Sequence, residues 1–305
     1  AQKVVFSDPS NQWYTGSDSQ RANLGNLFAG SSQEQLNLLI GKHFLGTDRP
    51  AIHQRTDGSL VGSYALANGS LFISGASAQD IVQGGTGDCY YLSSLAGVAC
   101  DKNALIGDMF KANSDDTWSV RFFTNGKLDY VTVDRMMATD ASGQYIYANA
   151  GRTVSAFNEL WVALAEKAYA QVNESGRIGQ DGNNYYGNGN DNGIGWGWST
   201  AAIKHITGID ASAKRVADLS NASELIGVVN SNRVVTVGGF NANAVNSNAG
   251  ETAVGTAVQG HAYTITSYDP ITGRFEIRNP WGSRHLRLTY DQLRQLGGDL
   301  NWSNS

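Results

Sequence analysis

The stretch from Gln83 to Ala99 constrains this chain more than any other. It reads Gln83-Gly84-Gly85-Thr86-Gly87-Asp88-Cys89 and continues with Leu92, Leu95, Ala96 and Ala99 on one face at helical spacing. Glycine is used where backbone must turn sharply or approach another segment closely, and an apolar stripe of period 3.6 is a helix that has to be buried. The spacing therefore predicts a tight turn feeding a buried helix, with Asp88 as its N-cap and the Cys89 thiol at its N-terminus. That position carries about half a positive charge, which favours the thiolate, the reactive form of cysteine. A lone cysteine is more often a small core residue, so the partners of Cys89 decide its reading.

Those partners stand far downstream, as Gly260-His261-Ala262 and Arg278-Asn279-Pro280-Trp281-Gly282. A histidine can take the thiol proton and return it to a leaving amine. The side-chain oxygen of Asn279 can accept from the far ring nitrogen and hold the working tautomer, the logic of Cys-His-Asn sites. The Trp281 indole, two residues on, can shield that bond from water. Gln83 precedes Cys89 by six positions, and the glycine turn between them can fold its amide beside the Cys89 N–H as a pair of oxyanion donors. Each residue alone is weak evidence; the ordered set is not.

The totals exclude several classes. With 22 Lys and Arg against 27 Asp and Glu, the net charge of -5 offers no basic field for nucleic acid. No run approaches the length of a membrane span, so neither nucleic acid nor membrane is an expected partner; protein or peptide substrates and a monomeric state are. At 305 residues the chain can bury about three quarters of its unfolded surface. The start, Ala1-Gln2-Lys3-Val4-Val5-Phe6, reads as that of a trimmed or mature chain. Cys89 and Cys100, if on one helix, lie about 16 Å apart along its axis, beyond disulfide reach.

In chain order, residues 1–65 form a polar N-terminal extension of unknown role, with one helix expected from a Ser31-x-x-Glu34 capping box. Residues 66–198 form a first lobe. Its features are the Cys89 helix, a hairpin from Trp118 to Val133 around an Asn125-Gly126 turn of type I′, and a long helix traced by Phe157, Leu160, Trp161, Leu164, Ala165, Ala168 and Val172. Residues 175–198 are glycine- and asparagine-rich and end that lobe. Residues 199–305 form a second lobe with a short helix capped by Ser199 and another from Ala222 to Val229. Strands at 234–238, 261–268, 274–279 and 285–288 follow, and a last helix starts at a Thr289-x-x-Gln292 capping box. The fold class is α+β: a helix-led first lobe and an antiparallel β-rich second lobe, with the active site in the cleft between them. His43, His53, His205 and His285 lack ligand spacing or catalytic neighbours and read as structural.

Gln83-Gly-x-x-Gly87-Asp88-Cys89, Gly260-His261-Ala262 and Arg278-Asn279-Pro280-Trp281-Gly282 together resemble the protease core of the calpain family, whose fold is papain-like. The run Glu159 to Ala170 resembles the helix before that family's lobe boundary, and Ile206-Thr207-Gly208 its next landmark. The likeness covers roughly residues 70 to 305. Tyr90 departs from the usual Trp after the nucleophile. The lightly charged, Gly- and Asn-rich style is similar to bacterial calpain-like proteases, and favours a secreted bacterial protein over a cytoplasmic one.

The resemblance implies a cysteine endopeptidase acting on extended protein segments, with Cys89 as nucleophile, His261 as base and acid, Asn279 as orienter and Gln83 in the oxyanion hole. No cofactor is needed for that chemistry. It also implies a possible calcium site in the first lobe, at Asp80, Glu159 and the carbonyls of Ile73 and Gly75, a hard-oxygen set of the kind calcium takes. A second-lobe calcium site is not expected, because His285 stands where the family places an acidic residue. Two other readings remain: a transglutaminase-like acyl transferase, which prefers Asp to Asn279, and a catalytically silent binding module.

Overall fold

Every pairing between named strands is antiparallel. Helices interleave with these sheets in a mixed α+β architecture. The structure, a computed structural model, describes residues 2–16, 19–113, 116–155, 157–187, 192–241 and 257–304. Part of the Gly- and Asn-rich run, residues 188–191, lies outside them. The helices are α1 (Gln2–Val5), α2 (Gln33–Ile40), α3 (Cys89–Asp101), α4 (Asn103–Gly107), α5 (Trp161–Asn173), α6 (Ser199–Thr207), α7 (Ala222–Val229) and α8 (Tyr290–Leu296).

The strands are β1 (Trp13–Tyr14), β2 (Ala22–Asn23), β3 (Ser63–Leu66), β4 (Phe110–Ala112), β5 (Trp118–Thr124), β6 (Lys127–Val133), β7 (Met136–Thr139), β8 (Ala211–Arg215), β9 (Val235–Gly238), β10 (Ala262–Asp269), β11 (Arg274–Arg278), β12 (Leu286–Thr289) and β13 (Asp299–Ser303). Chain contacts divide them into two compact units. The first holds residues 1–75, 84–88 and 108–196; the second holds 76–83, 89–107 and 197–305. This grouping differs from the two contiguous lobes read from sequence. In it Gln83 and the Cys89 helix fall with the C-terminal residues, and residues 1–65 belong to the first unit.

In the first unit α5 is the buried axis, every residue of it out of solvent, with Phe122 against Tyr169 at 5.6 Å and Phe72 against Trp161 at 6.3 Å. β5 and β6 form the expected hairpin, and Asn125 and Gly126 both take positive φ (49° and 72°) as a type I′ turn requires. The helix expected from Phe157 begins only at Trp161, because Leu160 donates its N–H to Ser70 instead of turning. The cap of α2 is Ser32, bonded to the Gln35 N–H at 3.1 Å, one residue beyond the expected capping box.

The N-terminal segment is tied into this unit by a buried charge cluster. Lys42, 2% exposed, meets the carboxylates of Asp48 at 2.5 Å and of Glu174, and donates to the Trp13 carbonyl at 2.8 Å. Burial alone would lower the Lys42 pKa, but the two acids raise it. Burial pushes Glu174 up to about 8, and the Lys42 ammonium opposes that rise.

The second unit is built on one six-stranded sheet in the order β12-β11-β10-β9-β13-β8. Val235, Val237, Tyr263, Ile265, Phe275, Ile277, Leu288 and Leu300 supply its main core. The strands β8 (Ala-Ser-Ala-Lys-Arg) and β13 (Asp-Leu-Asn-Trp-Ser) escape sequence reading because they are short and polar, yet β13 pairs with both β8 and β9. α8 opens with the expected Thr289–Gln292 capping box. At α6 the structure corrects the expectation: Ser199 is the first helical residue, and the N-cap Trp198 makes no side-chain cap bond. Among the described residues, no helix is long and apolar enough to cross a membrane.

Lys42→Met leaves two buried acids without their cation, and removing one partner of a buried pair costs about 3–5 kcal/mol. Urea denaturation should therefore show a large loss of stability. A loss below about 1 kcal/mol, the range of a surface pair, would refute the role given to this cluster.

Candidate active site

The site is assembled in the second unit by one register and one helix. Register pairs Thr264 of β10 with Arg278 of β11, so Asn279, one step past the end of β11, comes beside His261, one step before the start of β10. The imidazole Nε2 and Asn279 Oδ1 are 2.9 Å apart, both residues buried. The same Oδ1 accepts the Trp281 backbone N–H at 2.9 Å. A backbone N–H can only donate, so the atom it meets is the amide oxygen, and the His261 nitrogen facing that oxygen must carry a hydrogen. Nε2 is thus the protonated nitrogen, and Nδ1 is the one left for proton transfer.

The Trp281 ring lies 4.6 Å from the imidazole centroid. The Arg284 guanidinium lies over the Trp281 ring, 5.9 Å from its centroid. Burial lowers the His261 pKa, and the bond to Asn279 opposes that shift. A desolvated imidazole is a neutral base at lower pH than an exposed one.

Cys89 is the first residue of α3 and is 9% exposed. α3 is held on the sheet by Thr264, whose hydroxyl donates to the Ser93 carbonyl at 2.6 Å. Gly97 permits the close approach, since a Cβ there would stand 2.8 Å from Val234 Cγ1. Tyr263 is a shared neighbour of both proposed reacting groups: its ring meets His261 edge-on at 4.9 Å, and the Cys89 thiol adds to the upward shift that burial gives its phenol, to about 12. Gln83 is fixed by its backbone, which donates to the Pro280 carbonyl at 2.8 Å. Next to it, a Cβ on Gly282 would stand 2.9 Å from Val82 Cγ2. Gln83, Cys89, His261, Asn279 and Trp281 therefore all belong to the second unit. Both cysteines lie on α3 and both are free thiols.

Two contributors escaped sequence reading. His285 is more than a filler: its Nδ1 accepts the Asn279 backbone N–H at 3.1 Å. Arg278 donates to the Ile81 carbonyl at 3.1 Å, bracing the segment that leads to Gln83. Their signal was position, within six residues of Asn279. Asp88 departs from expectation, since its carboxylate oxygens cap no helix N–H. It faces Glu166 instead.

The four candidate calcium ligands fall in different units. Asp80, in the second, closes a capping box in which its Oδ2 accepts the Ser77 N–H at 2.7 Å. Glu159, in the first, is buried and accepts the Ile73 N–H. Gly75 has φ +88° and open space around it. Among the described residues, no group of three or more His, Cys, Asp or Glu is arranged to hold a metal.

The sequence pattern of the calpain family of cysteine proteases matches residues 62–291. A calpain-type cysteine protease of Arabidopsis thaliana is 27% identical over 233 residues, covering 70% of this chain and 9% of that protein. Calpain clp-4 of Caenorhabditis elegans is 29% identical over 231 residues, covering 72% of this chain and 29% of that protein. The calpain-1 catalytic subunit of Rattus norvegicus is 26% identical over 233 residues, covering 71% and 29%. The chain thus spans less than a third of the length of these relatives. A family match over more than half of its residues, on a papain-like α+β fold with the Cys, His and Asn motifs in place, makes this chain a member of the calpain family of cysteine proteases.

Proposed function

We propose that the chain is a calpain-like cysteine endopeptidase in which Cys89 is the nucleophile, His261 the base and acid, Asn279 the orienter and Gln83 an oxyanion donor. The observation that carries this reading is the double acceptance at Asn279 Oδ1, which leaves Nδ1 of His261 as the basic nitrogen. Nδ1 takes the Cys89 proton, and the thiolate forms a bond to the peptide carbonyl carbon. The carbonyl oxygen becomes an oxyanion, met by the Gln83 amide and the Cys89 N–H. Collapse breaks the C–N bond, and His261 gives the proton to the leaving amine. A water deprotonated by His261 then attacks the thioester, releasing the acid and restoring the thiol. Its substrates are extended segments of proteins or peptides.

The reading is tested with an iodoacetamide or epoxysuccinyl probe and a fluorogenic peptide. Cys89→Ser should abolish both labelling and turnover. Gln83→Ala should keep the labelling but slow turnover about a hundredfold, the cost of losing one oxyanion donor. Wild-type protein that shows no Cys89-dependent labelling, with or without calcium, would refute it.

Calcium modulation is part of the proposal. The ligands that the family resemblance implies, Asp80, Glu159 and the Ile73 and Gly75 carbonyls, are all oxygen donors of the kind the ion takes, and the open backbone at Gly75 is compatible with it. When bound, calcium would supply no reaction chemistry. Calcium titration with chelator controls should raise Tm and activity together, and Asp80→Asn or Glu159→Gln should remove both responses. A Tm and rate that stay constant across the titration would sink the calcium part alone.

A further inference from the structure

Asp88 and Glu166 form a pair of acids that the reaction scheme leaves unused. Asp88 is 0% and Glu166 1% exposed. Both carboxylate oxygens of Asp88 and Oε1 of Glu166 are buried with no donor, while the two carboxyls lie within hydrogen-bond reach of each other. Two acceptors facing one another without a donor imply a proton between them, since two ionised carboxylates in a dry site repel and neither is solvated. Burial pushes Asp88 well above the carboxylate range and Glu166 to about 7. Glu166 Oε2 accepts the Ala148 N–H at 2.8 Å. The groups that feel its charge are the phenols of Tyr147 and Tyr186, stacked at 3.8 Å, and among the described residues no cation offsets it.

The same wall holds the rest of the turn. The Gly85 N–H donates to the Ile146 carbonyl at 2.9 Å, and a Cβ on Gly84 would stand 2.1 Å from the Tyr147 carbonyl oxygen. Segment 84–88 is thus laid along residues 146–148 and fastened at its far end by the acid pair. One peptide bond further on stands Cys89, about 3.8 Å away between Cα atoms.

We propose that Asp88 and Glu166 are positioning residues: a proton-sharing clasp that fixes the glycine turn and, through the Asp88–Cys89 bond, the placement of the nucleophile. The inference rests on Cys89 being that nucleophile. The shared proton also limits the clasp to one negative charge, and a second charge one residue from the thiol would disfavour the thiolate.

An amide mimics the protonated acid and cannot ionise, which separates the clasp from a merely structural pair. Asp88→Asn and Glu166→Gln should keep kcat/KM near neutral pH and extend the alkaline limb of its pH profile. Asp88→Ala and Glu166→Ala should lower kcat, with about a hundredfold as the scale for an ångström of misplacement. Melting needs no activity and tests the proton directly. The folded state holds a proton that the unfolded state releases above the ordinary carboxylate range, so wild-type Tm should fall as pH rises through about 7. Glu166→Gln should flatten that fall. Identical pH dependences of Tm for wild type and Glu166→Gln, or a folded Glu166→Gln as slow as Glu166→Ala, would overturn the proposal. Loss of Cys89-dependent labelling in wild type would instead undo the nucleophile reading and leave the melting result standing.

Discussion

The candidate site depends on one oxygen atom. Asn279 Oδ1 accepts from His261 Nε2 and from the Trp281 N–H, both at 2.9 Å, and this double acceptance fixes the amide orientation, the imidazole tautomer and the basic nitrogen at once. Much of the second unit serves that atom. The β10–β11 register brings the two residues together, His285 holds the Asn279 N–H, and the Trp281 ring packs 4.6 Å from the imidazole. A buried hydrogen bond is strong where water cannot compete for it, and both His261 and Asn279 are buried.

The turn before Cys89 presents the complementary problem, which is how to hold a glycine-rich segment still. Glycine loses more freedom on folding than any other residue, so such a turn needs fixed points. Here they are a backbone bond at Gly85, a contact at Gly84 that admits no side chain, and the carboxyls of Asp88 and Glu166. The first unit, which carries these points, is itself closed by the Lys42 cluster, linking the N-terminal segment to the end of α5. Residues 1–65, outside most of the family match, are therefore part of the folded body that supports the turn.

Legibility followed the physics of each element. The type I′ hairpin, α7 and the Thr289 capping box were readable because their determinants are local: two residues of positive φ, an apolar stripe, a reciprocal side-chain cap. β8 and β13 were not, because a short polar strand owes its existence to its neighbours in the sheet rather than to its own pattern. Asp88 misled for a related reason. Its position before a helix is that of an N-cap, but burial opposite Glu166 outweighs that local preference.

The sequence by itself determined the chemical types and their order: a glycine turn, a thiol opening a helix, a histidine opening a strand and an Asn-Pro-Trp-Gly motif at the end of another. Those are local facts, written in side-chain identity and spacing. Only the tertiary structure decided that Gln83, Cys89, His261 and Asn279 share one compact unit, which nitrogen of His261 is free, and that Asp88 meets Glu166 across 78 positions (166 minus 88). Such outcomes depend on strand register and on what is buried against what, and contacts between residues distant in the chain carry no local signature.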